Sequence, residues 1–353
     1  MKTERIEFAG DVPGIHIDLR VLRFEGSDAA APSAYLQSSL HGAELPGQAA
    51  LHFLVPMLQK AASEGRIRGQ ITIVPQANPV ASNQWQSHQH LGRFEFFSGV
   101  NFNRNFPLLK DFDTSGLPKP DAPVAIDKRI KAALITLALE HEIVLDLHCD
   151  DESENYLYVF EDYAQDLRDL ATALRSTAIL AGDSTVSAAF EEACINPVLH
   201  MKPEERDMRR RAVTTVEFRG LNDVDPATGL SDAEGLYRFL VHRGVVHDPA
   251  STLGEPFSGP VATFSHVEMI RAPKGGMVLY HVKLGDRVSK GDLLATIVTL
   301  PGEVSGDIEL RAPQSGHVLT HRSLRYLRRG DDVMKLIGDK PSEQEKPAGS
   351  LEA

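Results

Sequence analysis

Residues 35–47 read YLQSSLHGAELPG. A short apolar run is followed by His41-Gly42-Ala43-Glu44 and then by Leu45-Pro46-Gly47. Residues 35–40 are expected to form an inner strand and residues 45–63 a helix. Pro46 suits the first helical turn, where a missing N–H costs nothing. Pro56 is expected to kink or shorten that helix. An imidazole and a carboxylate three positions apart, on a turn leaving a strand, can supply two ligands to a divalent metal. The third donor is expected from His148, which ends the apolar run 143–147. Two His and one Glu with an open fourth position is the pattern of a catalytic zinc site. The motif is short and the chain has 14 His. The plain alternative is that His41 ends a strand and Glu44 opens a helix electrostatically.

The rest of the chain extends the strand–helix alternation. Residues 16–21 alternate polar and apolar, as a half-buried strand does. Further strands are expected at 70–75, 143–147, 156–160 and 213–218, with helices at 126–142 and 163–180. Alternation of this kind predicts an α/β layer with a mixed sheet, and sites in such sheets lie at the carboxyl ends of strands. Glu217 falls near one such end. Its plain alternative is a Glu paired with Arg219. Residues 76–100 are a long polar loop, a length that usually serves function or is disordered. Arg104, with Asn103, is suited to clamp a carboxylate, because guanidinium binds carboxylate through two parallel hydrogen bonds. Arg93 could stabilise an oxyanion or simply be a solvated loop residue. Cys149 follows His148, and neighbouring strand residues point to opposite faces, so its thiol is expected to face away as a buried structural group.

The composition changes after about residue 250. Residues 251–260 (STLGEPFSGP) form a connector, and 261–338 show short strands and turns. Residues 270–278 (IRAPKGGMV) return as 310–318 (LRAPQSGHV), and the two copies are followed by Gly291-Asp292 and Gly330-Asp331. A two-fold repeat of short strands predicts a small flattened β-barrel. Domains are expected at 1–255 and 256–338, with a disordered polar tail at 339–353.

The 353 residues favour two domains. A net charge of -12 argues against nucleic acid or an anionic membrane as partner. Cys149 and Cys194 cannot build a disulfide framework. Residues 1–14 lack the apolar core of a signal peptide, and no run approaches bilayer-spanning length. A cytoplasmic protein with no membrane partner is expected. The oligomeric state stays open, a homo-oligomer among the options.

Together, His41-Gly42-Ala43-Glu44, residues 103–107 (NRNFP), Asp146-Leu147-His148 and Val216-Glu217 resemble the succinylglutamate desuccinylase/aspartoacylase family. That family is a branch of the zinc carboxypeptidase-like fold, and the order and spacing of the motifs match across residues 35–220. The resemblance implies one zinc ion held by His41, Glu44 and His148, with Glu217 as general base. It implies Asn103 and Arg104 as binders of a substrate carboxylate, and Arg93 as the oxyanion arginine, although its spacing to Arg104 is longer than usual. Asn101 stands where the family often has Asp, which alters charge near the anchor and puts N-succinylglutamate and N-acetylaspartate in doubt as substrates. The 256–338 segment resembles the appended β-domain, whose halves are like the biotinyl/lipoyl-carrier fold. The stretch between its halves (LPGEVSGDIEL) has no Lys to carry a prosthetic group, so a structural or gating role is expected. The implied activity is zinc-dependent hydrolysis of the amide bond of a small N-acyl amino acid. A metallocarboxypeptidase on short peptides would use the same groups. A non-catalytic binder of acyl amino acids would not need the base.

Overall fold

The computed structural model describes residues 1–183 and 185–344. Among these, nine strands form one mixed sheet. Their order across it is Lys2–Ala9, His16–Phe24, Ile71–Val74, Ala34–Ser38, Ile143–Asp150, Ala212–Gly220, Tyr156–Phe160, Ala178–Gly182 and Val261–Thr263. The third to sixth of these run parallel to one another, so Ser38, His148 and Glu217 reach the same edge. Ile71–Val74 and Ala34–Ser38 are buried throughout, because helices cover both faces. Parallel strands covered in this way carry apolar residues without alternation.

Helices Pro46–Ser63, Arg168–Leu174 and Pro226–His242 pack on one face around Leu54, Leu170, Leu236 and Phe239. Helices Ile126–Ala138 and Phe190–His200 cover the other around Leu134, Phe190 and Val198. No helix among the described residues is long and apolar enough to cross a membrane.

Pro56 does not shorten the first helix, and one expected helix fails locally. The first helix runs unbroken to Ser63 through Pro56. Pro56 and His52 are on the exposed face, where the carbonyl deprived of its bond can turn to water. The helix expected over 163–180 is confined to Arg168–Leu174. Arg175 ends it in a left-handed conformation (φ 55°), and Ala178–Gly182 becomes a buried strand. Five consecutive small or apolar residues have no period that separates such a strand from a helix.

The 256–338 segment first adds Val261–Thr263 to the edge of the large sheet. It then forms two antiparallel ladders. One holds Val267–Arg271, Asp332–Gly338, Gly316–His321 and Arg287–Val288; the other holds Ile308–Arg311, Leu293–Val298, Gly276–Tyr280 and Tyr326–Leu327. The expected barrel thus takes the form of two sheets with separate hydrogen-bond ladders, enclosing Ile270, Val278, Leu294, Leu310, Val318 and Leu336. The repeat has a structural counterpart. Gly330 N–H donates to Ala272 O at 2.8 Å and Ala272 N–H to Asp331 O at 2.9 Å; Gly291 N–H donates to Ala312 O at 2.8 Å and Ala312 N–H to Asp292 O at 2.9 Å. Each Gly-Asp turn therefore closes on the Ala of the copy it does not follow directly.

The module is tied to the large sheet. Glu152–Ser153 pairs with Gly316–His321, and Lys335 Nζ donates to Asp150 Oδ2 at 2.6 Å. Of the tail, Ser342 Oγ donates to Glu268 Oε2 at 2.6 Å; residues 345–353 lie outside the described residues.

Candidate metal and catalytic site

His41 and Glu44 sit on the turn between Ala34–Ser38 and Pro46–Ser63. Position 42 must be glycine, because a Cβ there would stand 2.3 Å from the carbonyl carbon of Ala81. His148 and Glu217 are paired across neighbouring strands. Three non-glycine residues with left-handed φ flank these groups: Ser39 (55°), Asn105 (59°) and Arg219 (57°). Strain of this kind collects where the surrounding fold dictates the direction of a side chain.

His41, Glu44 and His148 are buried, and their ligand atoms lie within 4.8 Å of one another. His41 Nδ1 is 2.7 Å from Glu44 Oε1, and His148 Nδ1 is 2.7 Å from Glu44 Oε2. The far nitrogens are occupied. His148 Nε2 faces Asp146 Oδ2 at 2.8 Å, and Gln37 Nε2 donates to Asp146 Oδ1 at 2.9 Å. His41 Nε2 faces Asn101 Oδ1 at 2.7 Å. The same Oδ1 accepts Asn103 N–H at 2.8 Å, so it is the acceptor and His41 Nε2 the donor. Both Nδ1 lone pairs are thereby turned toward the Glu44 oxygens. A proton or a cation must lie between the partners at 2.7 Å, and two imidazole nitrogens with a carboxylate around one point are the donors that a divalent metal takes. Burial pushes the pKa of His148 down, but Asp146 and Glu44 outweigh it and hold the imidazole well above its ordinary value. Burial likewise acts upward on Glu44, and the two imidazoles outweigh it.

One cavity brings these ligands together with the four further residues to which the sequence assigns a site role: Arg93, Asn103, Arg104 and Glu217. Burial, with Glu44 and Asp150 nearby, holds the Glu217 carboxyl well above the usual carboxylate range. Its Oε2 is sealed from solvent without a hydrogen-bond partner. Arg219 turns instead to Asp232. Arg93 Nη1 donates to Glu44 Oε1 at 3.2 Å. Its loop is held by Gln84, whose Nε2 donates to Leu91 O at 3.0 Å and Phe94 O at 2.6 Å. Asn103 Oδ1 accepts Phe190 N–H at 2.8 Å, and so anchors the start of helix Phe190–His200. Cys149 also borders the cavity rather than facing wholly away. Burial pushes its thiol far up, so it stays protonated.

Several groups have a role at this site that the sequence did not assign to them. Asn101 contacts a candidate metal ligand, where only an effect on the substrate anchor is expected. Gln37 and Asp146 orient His148. Glu191, Glu192 and Thr215 line the cavity, and Phe264 reaches it from beyond residue 256. Burial, Glu192 and Asp146 push Glu191 up to about 7.

Residues 30–243 match the succinylglutamate desuccinylase/aspartoacylase catalytic domain. The chain belongs to this family. It is 24% identical over 316 residues to the N-alpha-acetyl-L-2,4-diaminobutyric acid deacetylase of Halomonas elongata, covering 86% of this chain and 81% of that protein. A crystal structure of a succinylglutamate desuccinylase/aspartoacylase family protein from Shewanella amazonensis is similar at 27% identity and a TM-score of 0.82, over 96% of this chain and 99% of that one. A counterpart from Shewanella frigidimarina, at 24% identity and a TM-score of 0.79, covers 97% and 99% and shares the fold.

Proposed function

We propose that this chain is a zinc-dependent amidohydrolase that removes the acyl group from a small N-acylated amino acid. The observation that carries this reading is the convergence of His41, Glu44 and His148 with Glu217 in one cavity that also holds Asn103 and Arg104. The name of the Halomonas elongata relative supports an N-acyl amino acid as the substrate class.

His41, Glu44 and His148 would hold the metal, and Asp146 and Asn101 keep the two imidazoles in the ligating tautomer. Bound there, zinc supplies Lewis acidity that polarises a carbonyl and acidifies water. Glu217 takes a proton from the attacking water as a C–O bond forms at the amide carbon. It returns that proton to the nitrogen as the C–N bond breaks, so the products are a carboxylate and an amine. Arg93 steadies the charge growing on the carbonyl oxygen. Arg104, with the Asn103 amide, holds the substrate carboxylate in register.

Residues 1–255 carry these groups. The 256–338 module limits the cavity through Phe264 and braces Asp150 through Lys335, which supports a small substrate over a peptide. The test is zinc content of the purified chain beside His148→Ala, together with amine release from a panel of N-acyl amino acids. About one zinc per chain, lost in the variant, with turnover that fails in Glu217→Gln, is the expected result. Absence of both bound metal and turnover after zinc is added would overturn it.

A further inference from the structure

The candidate metal ligands stand where two cavities meet. His41, Glu44, Arg93, Cys149 and Asp150 line both. The first cavity holds Asn103, Arg104 and Glu217. The second, of about 770 Å3, leads away between residues 90–96 and the C-terminal module and is lined by none of those three. The acyl chain and the amine substituent leave a scissile amide from opposite ends of its C–N bond. Arg104 lies in the first cavity alone, so an amine part held there by its carboxylate directs the acyl end to the second.

The second cavity is apolar where its wall is exposed. Phe94 is 48% exposed, Phe96 53% and Leu91 38%, and all three line it. Leu221 adds a half-buried side chain. Glu95, between the two phenylalanines, turns back on its own loop: its carboxylate accepts Phe97 N–H at 2.9 Å and Ser98 N–H at 2.6 Å. Gln84 Oε1 accepts Phe96 N–H at 3.1 Å, so the segment is braced. The charged groups of this cavity engage one another. Lys335 pairs with Asp150, Arg322 with Asp151 and Arg328 with Asp331. An acyl group with a carboxylate of its own therefore finds those cations already engaged. Exposed apolar side chains grouped in a concave site mark a place where apolar ligand surface is taken from water.

We propose that Leu91, Phe94 and Phe96 form an apolar acyl subsite, so that the acyl group removed is an apolar chain well beyond acetyl in length. This rests on the amidohydrolase reading for the scissile amide and on Arg104 for its direction. The subsite itself rests on exposed phenyl rings in a cavity continuous with the metal ligands.

The test separates the two ideas. Binding of acetohydroxamate and of hexanohydroxamate to the zinc-loaded chain is measured by calorimetry. The two probes share a zinc-binding head and differ in chain length alone. A fully buried methylene is worth about fourfold in affinity, and a cleft open to water on one side about twofold. The longer probe is therefore expected to bind at least about tenfold more tightly. Phe94→Ser and Phe96→Ser replace half-exposed side chains, which the fold tolerates. Each should draw the ratio toward one, whereas a merely structural role would weaken both probes alike and leave the ratio intact. In parallel, kcat/KM is compared for the N-acetyl and N-hexanoyl forms of the amino acids in the panel and for dipeptides. Chain-length-selective binding that the serine variants abolish, without any turnover, would end the hydrolase reading and leave the subsite standing. Equal binding of the two probes, as in a mere entry channel, would overturn the subsite, as would no binding of either at millimolar concentration. So would turnover of the N-acetyl forms or of dipeptides faster than that of the N-hexanoyl forms.

Discussion

Asn101 Oδ1 lies 2.7 Å from His41 Nε2 while also accepting the Asn103 N–H. One amide oxygen therefore sets the tautomer of a metal-ligand candidate and the path of the chain toward Arg104. Partners of metal-bound imidazoles are worth about 10–100-fold in metal affinity. Asn101→Ala is expected to weaken zinc by that order in a chelator competition, and Asn101→Asp to retain tight binding. Unchanged affinity in the alanine variant would remove Asn101 from this role.

Glu217→Gln keeps the size of the side chain and removes its basicity. General-base catalysis contributes about 10^2–10^4-fold, so kcat should fall by that order while the zinc content stays at wild-type level. A fall in both together would make Glu217 a structural residue.

Lys335 is 4% exposed and pairs with Asp150 across the two parts of the molecule. Lys335→Met leaves the Asp150 carboxylate without its cation. Breaking a buried pair from one side costs about 3–5 kcal/mol. Urea unfolding should register a loss on that scale; a loss below about 1 kcal/mol would mean that Asp150 is satisfied by Tyr156, whose hydroxyl also donates to it at 2.8 Å.

Acid stability should have two identifiable contributors. Burial lowers His141 from 6.5 to about 4. Glu142 is lowered from 4.5 to about 2: burial acts upward, but hydrogen bonds from Ser33 and Arg210 outweigh it. Both groups bind fewer protons folded than unfolded, so their contributions are present above the unfolded pKa and are lost as pH falls. His141 acts between about 6.5 and 4, and Glu142 between about 4.5 and 2. Glu142→Gln should be less stable than wild type at pH 7, with the gap closing toward pH 3 in denaturant titrations. A gap independent of pH would show that Glu142 acts through packing alone.

The strand–turn–helix around His41 was legible because its signals are local. An apolar run, a His and a Glu three positions apart and a Pro at the helix start all fall within a dozen residues. Arg104, His148 and Glu217, singled out by their residue type and strand-end position, fall in that order in the family motifs, and the structure brings them into one cavity. The strand Ala178–Gly182 was not legible, because a fully buried strand has no alternation. Helices Phe190–His200 and Pro226–His242 drew no expectation from the sequence, and the first of them carries the Glu191–Glu192 pair.

By itself the sequence determined the chemical identity of the donors, the strand-end turn that presents two of them, and the internal repeat of the C-terminal module. Only the tertiary structure decided which groups meet. Gln37 reaches Asp146 over 109 positions, and Lys335 reaches Asp150 over 185. Such partners are set by the order and register of strands in the sheet. Periodicity along one chain encodes which face of a strand is buried, but not which strand lies beside it.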